Sequence, residues 1–149
     1  MNRWLEIDLG AIKHNINIIK KEIGWPKVKL MPVVKANAYG HGAVEIAKVL
    51  EKEKVDYLAV ATFDEAMELS QNSIKIPILI IGYTDQDEIE KAIQNDIAMS
   101  VYDLEMAEKI LKVAVKLGEK ANIHLKLDTG MHRLGLMPDE FISAYKKIH

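Results

Sequence analysis

The chain has 149 residues, enough for one domain with a moderate core, and its 49% apolar and 28% charged residues set aside disordered and fibrous classes. A formal charge of −2 favours neither a nucleic-acid partner nor an anionic membrane surface. The absence of cysteine removes disulfides, thiolate chemistry and Cys-based zinc sites.

The opening residues carry no basic stretch followed by an apolar run, so no secretory signal is expected. The longest apolar run, 76–82, is too short to span a bilayer. A cytoplasmic soluble protein is the expectation. In chain order, a helix candidate over Leu9–Ile23 comes first, with Ile12, Ile16 and Ile19 on one face. A unit then recurs: a short apolar run, a polar turn and an amphipathic helix. The first run, 29–34, ends on Lys35; after a glycine-containing loop, Ala43, Ile46, Ala47 and Leu50 form one helical face. The second run, 57–61, leads to Thr62 and Glu65, spaced as a capping box for a helix through Ala66, Met67 and Leu69. The third, 77–81, stops at Gly82, and a helix carrying Ile89, Ala92 and Ile93 follows Thr84. The fourth, 97–101, precedes Asp103 as the cap of a helix burying Leu104, Ala107, Leu111 and Ala114. The fifth, 123–127, closes on Asp128, Thr129 and Gly130, a plausible turn, and Pro138 suits the first turn of one more helix.

Five strand–helix units with nearly continuous apolar strands predict an α/β fold, a parallel sheet covered by helices. Counting alone favours a complete five-stranded doubly wound domain, because a (β/α)8 barrel takes eight units and typically about 250 residues.

The feature richest in chemistry is the first strand's end. Desolvating an ammonium is costly, so a lysine at the carboxyl end of a buried strand is unusual. Burial favours the free amine, the form a Schiff-base lysine requires. The bland alternative is that Lys35 is simply the first polar residue past the strand. The following loop weighs against it. Gly40 and Gly42 allow close backbone approach, Tyr39 offers a phenol, and a helix starting near Gly42 presents an N-terminus suited to an anion. His41, His124 and His132 lack paired metal-ligand spacing and read as structural or peripheral, so no metal is expected.

The run Val34-Lys35-Ala36-Asn37-Ala38-Tyr39-Gly40-His41-Gly42 closely resembles the pyridoxal-phosphate attachment motif of the alanine racemase family. A second match, His124-Leu125-Lys126-Leu127-Asp128-Thr129-Gly130-Met131-His132-Arg133-Leu134-Gly135, is similar to that family's fifth-strand motif. Trp4-Leu5-Glu6-Ile7-Asp8 and Ala59-Val60-Ala61-Thr62-Phe63-Asp64-Glu65-Ala66 also look like the family, so the resemblance covers nearly the whole chain in order. It reverses the choice made by counting. The fold it implies is a partial (β/α)8 TIM-type barrel: about five of eight parallel strand–helix units, preceded by an N-terminal helix.

The resemblance implies a pyridoxal 5′-phosphate-dependent isomerase that interconverts L-alanine and D-alanine, supplying D-alanine for the cell wall. Lys35 would carry the cofactor and act as a catalytic acid/base. Tyr39 looks like the tyrosine that contacts the cofactor phosphate, and Ile81 would lie near its ring. Arg133 is similar to the arginine that binds the cofactor's phenolic oxygen and the substrate carboxylate. Lys126 matches a lysine often carbamylated in the family, where a carbamate anion can accept hydrogen bonds from that arginine. Residues 1–149 would then be the N-terminal part of the barrel, without the later strands or the C-terminal β-domain, which in the family homodimer supplies the second acid/base from the other subunit. The expectation is a fragment with little activity alone and exposed sheet edges prone to self-association. The alternatives are a non-catalytic pyridoxal-phosphate carrier, a five-stranded binding module in which Lys35 is incidental, and a racemase of serine or another small amino acid.

Overall fold

A computed structural model describes residues 3–148; Met1, Asn2 and His149, the chain ends in the sequence reading, lie outside the described residues. Helix α1 spans Leu9–Ile23, as its periodicity predicts. Asp8 starts it by accepting the amides of Gly10 at 2.8 Å and Ala11 at 3.1 Å. Of the predicted apolar face, Ile16 is buried and Ile12 partly buried, but Ile19 is exposed. The helix rests mainly on α3 (Ala43–Lys52), and that single neighbour covers only a narrow stripe.

Four parallel strands, β1 (Leu58–Val60), β2 (Ile78–Ile80), β3 (Ala98–Val101) and β4 (Ile123–Leu125), form one sheet in the order β1-β2-β3-β4. Leu58 lies opposite Ile78, Leu79 opposite Ala98, and Met99 opposite Ile123. The first predicted run is shorter than expected. Only Val33 bridges, in parallel, to Ala59. The Val34 amide donates to the Ala59 carbonyl at 2.8 Å, and the Ala59 amide to the Pro32 carbonyl at 2.9 Å. Pro32 itself has no amide to give, which limits the ladder there. Five extended segments thus run parallel, the wall of a partial (β/α)8 barrel preceded by α1. Every residue of β1, β2 and β3 is buried, whereas β4 is only partly covered. Leu58, Val60, Ile80, Met99 and Val101 are fully enclosed, each side chain contributing roughly 1.5–3 kcal/mol.

The helices follow the predicted rhythm. Ala43, Ile46, Ala47 and Leu50 of α3 are all buried. Helix α4 spans Phe63–Gln71, α5 Gln86–Gln94, α6 Leu104–Leu117 and α7 Pro138–Ile148. Asp103 caps α6 by accepting the Met106 amide at 2.6 Å, and Pro138 opens α7. At α5 the cap is Asp85, whose amide donates to Glu88 at 2.8 Å, while Thr84 is buried one residue earlier. Leu111 departs from expectation. It is 40% exposed, and α6 instead buries Met106, Ala107, Ile110 and Ala114, with Leu104 half-buried. Leu111 lines a groove of about 620 Å³ along α6, β4 and the end of α7, so its side chain lacks a covering layer.

Asp56 ties the segment leading into the first run to the start of β1. Its carboxylate accepts from the Lys29 ammonium at 2.7 Å, the Leu30 amide at 2.9 Å and the Trp25 indole at 3.1 Å. These donors, Lys29 foremost, hold its pKa down at about 2, against an ordinary 3.8. A depressed carboxylate stabilises the fold above its unfolded pKa and loses that contribution as pH falls toward its folded one. The urea midpoint is therefore expected to fall as pH drops from 3.8 toward about 2. Asp56→Asn should lower the midpoint at neutral pH and flatten the profile across that window, measured by Trp fluorescence.

Candidate active site

Parallel strands put their carboxyl ends on one edge, so Lys35, Ala61, Ile81, Tyr102 and Lys126 all leave the sheet on the same side. Lys35 is half-buried, and among the described residues its ammonium has no hydrogen bond or ion pair. It begins α2 (Lys35–Tyr39), a single turn wound left-handed: Ala36, Asn37, Ala38 and Tyr39 have φ between 51° and 54°. Four such residues in a row without glycine are costly, roughly 1–2 kcal/mol each. Hydrogen bonds hold the turn in place. The Ala38 amide donates to the Val34 carbonyl at 2.9 Å, the Gly42 amide to the Asn37 carbonyl at 3.0 Å, and the Ala36 amide to Glu65 Oε1 at 2.7 Å.

The helix N-terminus expected here as suited to an anion is partly engaged. Helix α3 does start after Gly42, but the Ala43 amide already donates to Asn37 Oδ1 at 2.7 Å, and Glu45 puts negative charge in the first turn. An anion would find that first amide engaged and an acidic side chain nearby. Tyr39, at 62% exposed, offers its phenol from the turn itself. His41 turns Nδ1 to the Ala38 carbonyl at 2.9 Å, and His124 meets Tyr57 edge-on with ring centroids 5.8 Å apart. Both histidines serve local packing.

The capping box at Thr62 and Glu65 is half realised. Thr62 Oγ1 accepts the Glu65 amide at 3.4 Å, but the Glu65 carboxylate does not return to its own cap residue. It accepts from the Ala61 amide at 2.7 Å and from Ala36, across the chain. Sequence spacing signalled a cap; the reach to residue 36 is a long-range contact that no local pattern encodes.

Ile81 and Lys126 are brought together: the Lys126 ammonium lies 3.5 Å from the Ile81 carbonyl, a weak hydrogen bond between two strand ends. Gly82 permits the neighbouring close approach, since a Cβ there would sit 2.3 Å from the Ala61 carbonyl oxygen. Arg133 is exposed and, among the described residues, bonds to neither Lys126 nor any other side chain. Its loop is nevertheless closed. The Asp128 amide donates to the Leu136 carbonyl at 2.9 Å, and the Leu136 amide to the Lys126 carbonyl at 2.7 Å. The Asp128 carboxylate accepts from the amides of Gly130 at 2.8 Å and His132 at 3.1 Å, which hold its pKa below the usual carboxylate range. The residues after the fifth run thus make a turn, as their composition suggested. A pair that the sequence reading missed is Tyr83 beside Tyr102, ring centroids 6.2 Å apart at adjacent strand ends. Burial, followed by the Asp103 carboxylate, pushes the Tyr102 phenol up to about 12.

Residues 7–149 match the family model described as alanine racemase, N-terminal domain. The chain belongs to this family. It is 51% identical over 146 residues to an alanine racemase of Methanococcus maripaludis, covering 97% of this chain and 39% of the relative. Superposed on the alanine racemase of Clostridium difficile 630, it gives a TM-score of 0.92 at 50% identity, over 97% of this chain and 38% of that one. A histidine racemase from Leuconostoc mesenteroides gives 0.85 at 26% identity, over 93% and 37%. This member of the alanine racemase N-terminal family therefore spans about two fifths of its relatives' length.

Gly135 has φ +149°, and a Cβ there would meet the Asp128 amide nitrogen at 2.6 Å. Gly135→Ala should cost about 1–3 kcal/mol in urea unfolding. Limited proteolysis should show new cutting within 128–135.

Proposed function

We propose that this chain is the amino-terminal part of a pyridoxal 5′-phosphate-dependent racemase that interconverts L- and D-alanine, with Lys35 carrying the cofactor. The observation that supports this best is Lys35 itself: a half-buried amine without a partner at the carboxyl end of a parallel segment, in a family of racemases. An amine not engaged by a carboxylate is free to condense with an aldehyde carbon.

The residues present fit the cofactor. Lys35 would hold its aldehyde carbon, Tyr39 would donate its hydroxyl to the phosphate, and Ile81 would lie against the ring. Arg133 would bind the phenolic oxygen and the substrate carboxylate, its planar guanidinium meeting acceptor oxygens with paired donors. When bound, pyridoxal phosphate supplies the electron sink that makes the proton on the substrate Cα removable. Lys35 takes or returns that proton on one face. Lys126, as an ammonium, donates toward the Ile81 carbonyl. Carbamylated, it would become an acceptor able to orient Arg133.

Alanine as substrate rests on sequence: identity is 51% and 50% to two alanine racemases but 26% to a histidine racemase of similar shape. No helix among the described residues is long and apolar enough to cross a membrane. A cytoplasmic homodimer, D-alanine supply for the cell wall, and a partner-subunit acid/base for the opposite face of Cα follow from the same resemblance and belong to the same proposal. On this reading the chain holds the cofactor but turns over alanine poorly by itself.

The test is to add pyridoxal phosphate to the purified chain, reduce with borohydride and map the labelled peptides by mass spectrometry. A label concentrated on Lys35, and lost in Lys35→Arg, is the expected result. Labelling scattered over the lysines, or none, would sink the reading.

A further inference from the structure

Glu65 is the one carboxylate among the described residues with a hydrogen bond to the backbone next to Lys35. Its two oxygens are used separately: Oε1 accepts the Ala36 amide at 2.7 Å, and Oε2 accepts the Ala61 amide at 2.7 Å. The Ala36 amide belongs to the peptide that leaves Lys35, so fixing that plane fixes the ψ of the lysine. Two residues on, the Ala38 amide returns to the Val34 carbonyl at 2.9 Å, holding the peptide that enters the lysine. Ala61 directly follows β1, and Glu65 lies in the first turn of α4, where the helix N-terminus favours a negative charge.

We infer that Glu65 is a positioning residue for Lys35, a two-oxygen clamp that ties the amide after the lysine to the end of the neighbouring strand. This deepens the proposed function and rests on it where the cofactor is concerned. The clamp needs two acceptors and no donor. Glutamine has nearly the same shape but one acceptor oxygen and an NH2, so one amide would face a donor instead of an acceptor. Aspartate keeps both oxygens on a stem one methylene shorter and cannot span both amides. The left-handed turn after Lys35 gives the clamp its importance, because a backbone in a costly conformation relaxes when a restraint is removed.

Three variants and two readouts test this. Amide hydrogen exchange, read without cofactor, reports on Ala36 against a sheet amide such as Ile81. Borohydride labelling with pyridoxal phosphate reports the share of label on Lys35. In Glu65→Gln, Ala36 exchange should quicken by about tenfold or more, the effect of losing a charge-assisted hydrogen bond. The Lys35 share of label should fall severalfold. Glu65→Asp, which cannot span both amides, should do the same, and serves if the glutamine variant folds poorly. Thr62→Ala weakens the cap of the same helix but leaves the clamp, so it should lower stability while Ala36 exchange and Lys35 labelling stay as in the unaltered chain. Unchanged exchange at Ala36 in both Glu65 variants would overturn the clamp. Faster exchange with an unchanged Lys35 share would overturn its positioning role. Failure of the unaltered chain to label at Lys35 would overturn the functional reading instead, with exchange at Ala36 still deciding the clamp.

Discussion

Two backbone hydrogen bonds that share Ala59, one from the Val34 amide and one to the Pro32 carbonyl, determine where the chemistry of this chain sits. They align the segment before Lys35 parallel with β1, and through β1 with the rest of the sheet. Parallel alignment then carries Lys35 to the same edge as Ile81 and Lys126; antiparallel pairing would send alternate strand ends to opposite edges. The pairing is one bridge long, because Pro32 has no amide to extend it. Its persistence depends on what lies on either side. Upstream, Asp56 gathers Trp25, Lys29 and Leu30 against the start of β1. Downstream, Val34 is buried and Glu65 grips Ala36.

The left-handed turn shows how much that anchoring must resist. Four non-glycine residues at roughly 1–2 kcal/mol each amount to a substantial part of the 5–15 kcal/mol by which domains are usually stable. The turn survives because its polar groups are matched by partners: Ala36 by Glu65, Ala38 by Val34, and Asn37 by Gly42 and Ala43. The same matching uses up an amide at the start of α3.

Much of this was legible in the sequence, and the failures have physical causes. Leu9–Ile23 appears with the predicted bounds because Asp8 and Gly24 punctuate it locally. The α3 face is read correctly because its buried positions fall on one face of the helix. Leu111 was misjudged because periodicity counts apolar positions and cannot tell whether a neighbour covers them. The first strand was read too long for a similar reason: apolar content marks a buried run, but Pro32 and the partner's register decide how many rungs form. Thr62 was identified as a cap while the reach of Glu65 was not, since one is a contact within four residues and the other spans 29. Lys35, Tyr39, Lys126 and Arg133 stand in the two motifs, and Ile81 is named by the resemblance from its place at the end of the third run. That three of them stand at strand ends follows from the parallel pattern.

The two halves of the donor set are held by different physics. Lys35 depends on pairing and clamps between segments far apart in sequence, so its backbone is fixed only when the sheet is intact. Arg133 rides on a loop that closes on itself between residues 126 and 136, through Asp128 and Leu136, on a strand only partly covered. That loop is closed by its own backbone, yet the Arg133 side chain remains exposed and unrestrained. If Arg133 binds the substrate carboxylate as proposed, binding must overcome the loss of its rotamer freedom, a cost of up to about 1.5–2 kcal/mol. Lys35, half-buried and anchored through both flanking peptides, has less freedom left to lose. An acceptor placed beside Arg133 would lower that cost. On the proposed reading a carbamate on Lys126 would be such an acceptor, where a bare ammonium is not.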